Sequence, residues 1–113
     1  MDINLNSETT GDEHALACPG CGSTNLHHHR VDVYRRNRED DMQGLRASVY
    51  SVGSVIVGNN MHDNPSERRD GVRMHFTCEM CPALSELTIV QHKGTTYLQT
   101  SIVGSRVQVE GDD

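Results

Sequence analysis

Four cysteines set as two Cys-x-x-Cys pairs, Cys18–Cys21 and Cys78–Cys81, constrain the fold of this chain more than any other feature. A Cys-x-x-Cys turn bends the backbone so that two thiolates face one point, and two such turns complete a tetrahedron around a single ion. The set predicts one structural Zn2+ held by Cys18, Cys21, Cys78 and Cys81. Iron would accept the same four ligands, and a redox dithiol is the remaining use of such pairs. Four thiolates leave no open coordination position, so a catalytic zinc is not expected. The opening stretch MDINLNSETTGDEHALA has neither the basic segment nor the apolar run of a secretion signal. A cytoplasmic location is therefore expected, and a reducing compartment favours metal ligation over disulfides.

A cross-link of this kind suits the composition. Apolar residues make up 35% of 113 positions, with one Phe and no Trp, so a single domain with a thin core is expected and a metal would supply much of its folding free energy. The most apolar stretch, Val49 to Val57, is interrupted by Ser51, Gly53 and Ser54. It is far shorter than the roughly 20 residues of a membrane helix, and no membrane partner is expected.

Extended segments dominate the pattern. Leu26 to Arg36 carries Val31 and Val33 on one face and Leu26, Asp32 and Tyr34 on the other, which predicts a strand. It should turn at Glu39, Asp40 and Asp41 and return through Leu45 to Val57, with Gly53 marking a bulge. Gly58 to Gly71 is rich in turn formers and predicts a long exposed loop. Val72 to Thr77, with Val72, Met74 and Phe76 inward, runs into Cys78; Leu84 to Gln91, a turn at His92 to Thr95, Thr96 to Val103 and a short edge at Arg106 to Val109 follow. No stretch has a helical apolar stripe. The expected organisation is a flexible acidic tail (1–16), one β domain (17–109) and an acidic tail (110–113).

Cys18-Pro-Gly-Cys21-Gly22 has the small residues of a tight knuckle, with Gly22 placed where a positive φ is needed. At the second knuckle Pro82 takes that glycine's position. The succession MHFT, CEMC, ALSELTIV resembles the second hairpin of a zinc ribbon, and CPGCG its first. The resemblance covers about 30 residues and implies an all-β, zinc-ribbon-like antiparallel sheet. The chain departs from the family in spacing: fifty-six residues, 22 to 77, separate the knuckles, so a β-hairpin and a loop are inserted there.

The formal charge of −6 is unevenly spread. Seven of sixteen acids lie in residues 1–17 and 107–113, leaving nine against ten Lys and Arg between, a body of about +1. Arg30, Arg35, Arg36, Arg38, Arg46, Arg68, Arg69 and Arg73 all fall between the knuckles. Arg35, Arg36, Arg38, Arg68 and Arg69 would form a phosphate-binding patch if hairpin and loop pack together; pairing with Glu39, Asp40, Asp41, Glu67 and Asp70 is the simpler expectation. His27, His28 and His29 alternate along a strand, so at most His27 and His29 could act together. His75 lies near the second knuckle and His92 in a turn, neither beside a nucleophile.

These features favour a non-enzymatic zinc-binding module that binds a protein partner through the 37–44 tip and the 58–71 loop, as a small regulator or an inhibitor of a nucleic-acid machine. A nucleic-acid-binding ribbon using Arg30, Arg35, Arg36, Arg68 and Arg69 is the alternative. A third reading, metal-dependent hydrolysis at the acidic tip, follows the zinc-ribbon transcript-cleavage factors, which work through an acidic pair on a hairpin tip; here the acids lie on a different hairpin.

Overall fold

The computed structural model of the chain describes residues 5–6 and 14–106, and the described residues form no helix. The described residues form eight strands: β1 (Leu5–Asn6), β2 (Ala15–Leu16), β3 (Leu26–Arg36), β4 (Gln43–Tyr50), β5 (Val55–Asn60), β6 (Gly71–Cys78), β7 (Ala83–His92) and β8 (Thr95–Ser105). β1 and β2 form a small antiparallel pair inside the segment expected to be a tail. The other six build one antiparallel sheet in the order β5-β4-β3-β6-β7-β8. The all-β expectation holds.

Tight turns account for this meander. Between β3 and β4 the chain reverses with Asp40 at φ 72°, a conformation that Asp tolerates, and Asn37 N–H donates to the Gln43 carbonyl at 3.2 Å. Between β7 and β8, Lys93 (φ 50°) and Gly94 (φ 81°) both adopt positive φ, as a hairpin turn that follows strand twist requires. Gly53 corrects the expected bulge. It lies at φ 94° in a turn closed by Tyr50 N–H and the Ser54 carbonyl at 2.9 Å, so Leu45 to Val57 is a second hairpin. The connection expected over 58–71 is shorter, because β5 continues through Asn60 and β6 begins at Gly71. Of the expected edge at 106–109, Arg106 lies just past β8, and 107–109 lie outside the described residues.

Register sorts the side chains into two unlike faces. One cross-strand row reads Val55–Val49–Val31–Met74–Leu87–Thr100, and the next on that face reads Val57–Ala47–Val33–Val72–Ile89–Leu98. The opposite face carries Ile56–Ser48–Asp32–Arg73–Thr88–Gln99 and Tyr50–Arg30–His75–Glu86–Ser101. Alternation along each strand makes this division unavoidable once the pairing is set. The polar face is the covered one. Asp32 and Tyr34 are each 1% exposed there, and the 61–70 connection lies over it, with Met61 and Ser66 buried and the Asp63 carbonyl accepting from Arg73 at 2.9 Å. On the apolar face Phe76, Ser85 and Thr100 are buried, whereas Val33, Val49, Val55, Val57 and Leu98 are exposed. The inward placement expected of Val72, Met74 and Phe76 thus holds fully for Phe76; Val72 and Met74 are half-buried.

Candidate metal centre

The two knuckles meet at one end of the sheet. Cys18 and Cys21 lie on the turn that leads into β3, Cys78 ends β6, and Cys81 precedes β7. Because Leu26 at the start of β3 pairs with Cys78, the antiparallel register itself carries the first knuckle to the second. Glu79 N–H donates to the Asn25 carbonyl at 3.0 Å and fastens the two segments.

All four Sγ atoms lie within 4.8 Å of one another. Cys18 and Cys81 Sγ are 3.7 Å apart, and Cys21 and Cys78 Sγ are 3.6 Å apart. A tetrahedral site with metal–sulfur bonds near 2.3 Å has edges of about 3.8 Å, so the cluster has the dimensions of an ion-binding site. Among the described residues it is the group of metal-ligating side chains that converges in this way, and it could hold a metal ion.

The backbone prepares the sulfurs for negative charge. Gly20 N–H points at Cys18 Sγ (3.3 Å) and Met80 N–H at Cys78 Sγ (3.4 Å), the same contact in each knuckle. Burial pushes the Cys78 thiol up, but the Met80 and Cys81 amides outweigh it and bring it down to about 7. At Cys21 the Ser23 amide favours the thiolate, yet burial and three neighbouring sulfurs win and raise it to about 12. The four close sulfurs thus share hydrogen bonds that favour the thiolate at Cys78 and disfavour it at Cys21. A bound cation removes that conflict, because a coordinating thiol is deprotonated outright.

Two glycines shape the first knuckle. Gly22 has φ +83°, as its position after the second ligand led us to expect. A Cβ on Gly20 would lie 3.2 Å from Ala83 Cβ, tighter than ordinary contact, and at contact distance, 3.5 Å, from Cys81 Sγ, so a side chain there would press on Ala83 at the start of β7. Sequence reasoning missed Arg106. Its Nη2 donates to the carbonyls of Cys78 and Cys81, both at 2.8 Å, and its N–H donates to the Pro82 carbonyl at 2.8 Å, so the end of β8 braces the second knuckle.

The tip and the long connection do pack together, at the opposite end of the sheet. Arg68 pairs with Asp40 (2.6 Å) and Glu39 (3.0 Å), Arg69 with Glu39 (3.2 Å), Arg35 with Asp70 (3.5 Å) and Arg38 with Asp41 (3.9 Å). Arg68 hydrogen bonds hold the Asp40 carboxyl below the usual carboxylate range. Among the described residues Arg36 makes no ion pair of this kind; its guanidinium donates to the carbonyls of Asp41, Ser66, Glu67 and Arg69. Arg30 is drawn to the buried Asp32 at 2.9 Å. Local pairing, the simpler expectation, describes Arg35, Arg38, Arg68 and Arg69 but not Arg36.

The histidines disperse. A register shift between His28 and Arg30 breaks their alternation; His27 meets Glu79, His28 stands edge-on to Phe76, and His29 lies 6.1 Å from His75. His75 holds a place that sequence alone did not reveal, between Asp32 (3.0 Å) and Glu86 (3.8 Å) on the covered face. Cross-strand pairing of β3, β6 and β7 is what brings those three together.

No family model, curated protein or solved structure matches the chain. The zinc-ribbon resemblance therefore rests on the two knuckles and their hairpin. No helix among the described residues is long and apolar enough to cross a membrane.

Proposed function

We propose that this chain is a non-enzymatic zinc-binding module that docks a protein partner through the 37–44 tip and the 58–71 connection. Zinc is the ion that best suits four thiolates closed in a tetrahedron, and in this reading its role is to hold the sheet rather than to act on a substrate. The observation that carries the docking reading is the union of tip and connection into one surface. Ion pairs from Arg68 and Arg69 tie them, and beside them lies a concavity of ≈ 490 Å3 lined by Glu39, Pro65, Arg68, Arg69, Val90 and Tyr97. It combines fixed charges of both signs with an aromatic wall, which suits a mixed polar and apolar side chain from a protein.

The same ion pairs weigh against a nucleic-acid reading, because Arg30, Arg68 and Arg69 already face carboxylates and Arg36 faces carbonyls. Glu39 and Asp40, engaged with arginine, offer no free acidic pair for hydrolysis. The test is affinity capture from the native host with the wild type and with a variant carrying Glu39→Lys and Asp40→Lys. A protein retained by the first and lost by the second is expected. Salt-sensitive binding of DNA or RNA, abolished by Arg35→Ala with Arg38→Ala, would overturn the reading.

A further inference from the structure

On the apolar face of the six-stranded sheet Phe76, Ser85 and Thr100 are buried and the central positions half-buried, but the flanking strands leave large apolar side chains open to water. A sheet normally turns its apolar face to the core and its polar face to water. Here the 61–70 connection covers the polar face, and the apolar face is open on its outer strands: Leu45 is 53% exposed, Val49 46%, Val57 63% and Ile102 53%. A bare apolar surface spanning a whole sheet exceeds the few hundred Å2 that soluble monomers ordinarily present.

We propose that this face is the interface of a homodimer, in which a second copy packs its own apolar face against it to form a two-layer β sandwich with both polar faces outward. Four observations select a second copy. The two central rows contain no charged side chain, and the charged Arg35 sits at the rim of that face, so there is nothing for a charged partner to complement. Residues 1–13 and 107–113 are poor in apolar side chains to lay over it, with Met1, Ile3, Leu5, Val107 and Val109. The shape suits self-packing, because two sheets of the same twist stack face to face about 10 Å apart, and a two-fold axis pairs one patch with itself. The area is sufficient. Six strands spaced about 4.8 Å and paired over about seven residues cover roughly 650 Å2, or about 1,300 Å2 for two copies, within the range of stable interfaces.

The arrangement leaves both metal centres and both tip surfaces accessible. It also adds buried apolar surface to a chain that has one Phe and no Trp.

Sedimentation equilibrium of the full chain with bound zinc tests this directly. A mass of about 25 kDa, twice the 12.5 kDa of one chain, is expected, with an unfolding midpoint that rises with protein concentration. Val49→Glu places a carboxylate at a position that is open in one copy and closed in the pair. It should raise the dissociation constant at least about 100-fold while zinc content and far-ultraviolet dichroism persist. Tyr97→Glu, on the opposite face at a similar exposure, should leave the mass unchanged. A zinc-loaded wild type that sediments as a monomer at high micromolar concentration overturns the proposal, and so does a dimer indifferent to both Val49→Glu and Leu98→Glu.

Discussion

At one end of the sheet four sulfur atoms converge from two distant turns, whereas at the other a single guanidinium, Arg36, gathers four carbonyl oxygens from the tip and the 61–70 connection. The arginine end is complete as it stands: a fixed positive charge meets partial negative charges, and Asn64 and Ser66 add hydrogen bonds to Arg69 and Asp70 carbonyls at 3.0 and 2.6 Å. The sulfur end is conditional. Ionised, its four groups repel, and Cys21 resists ionisation among its neighbours. One fold thus carries a latch closed by its own hydrogen bonds and a sulfur cluster placed where an ion could clamp it.

Breaking the clamp should have the largest effect. Cys78→Ser removes a buried ligand to which Met80 N–H already points, and we expect loss of stoichiometric zinc together with the cooperative urea transition. A variant that keeps both would erase the distinction between the ends. Opening the latch should cost less: Arg36→Ala leaves four carbonyls short of a charged donor, an expected loss of about 3 kcal/mol by urea denaturation with zinc still bound.

Between the ends, Asp32 is held by Arg30 and His75. Burial pushes its carboxyl up, but hydrogen bonding to Arg30 and His75 prevails and holds it below the usual carboxylate range. Asp32→Asn should cost about 2 kcal/mol at neutral pH. Because the folded value is depressed, the wild type's advantage over the variant is present above the ordinary carboxylate range and disappears as pH falls through the depressed value. Paired urea titrations across acidic pH would show the two curves converging; parallel curves would exclude the carboxylate's role. The smallest effect belongs to Gly22→Ala. Nothing lies within 4 Å of the added Cβ, so only the φ of +83° is strained, and a loss of about 1 kcal/mol is expected in thermal unfolding.

The clamp is legible in the amino-acid sequence because its chemistry repeats at short spacing: Cys18-Pro-Gly-Cys21 and Cys78-Glu-Met-Cys81 announce themselves, and Gly22 announces its own φ. Strand positions are legible from the alternation of valines. The latch is only half legible, since Arg36 stands among other arginines with nothing to show that it meets carbonyls instead of acids. Which face is covered is not legible at all. Val72, Met74 and Phe76 have the spacing of a core stripe, yet the connection after β5 buries Met61 and Ser66 over the Asp32 side. His75 and Arg106 escape for a related reason: Asp32 lies 43 residues from His75, and Cys78 lies 28 from Arg106, separations that only strand pairing makes short.

The conditional clamp is tested most directly by purifying the chain, measuring its metal by elemental analysis, and following far-ultraviolet dichroism and urea unfolding before and after removal of that metal with a strong chelator. About one zinc per chain is expected, with loss of the cooperative transition on chelation and its return when zinc is restored. A metal-free chain that unfolds cooperatively at the same urea concentration with and without chelator would contradict the account.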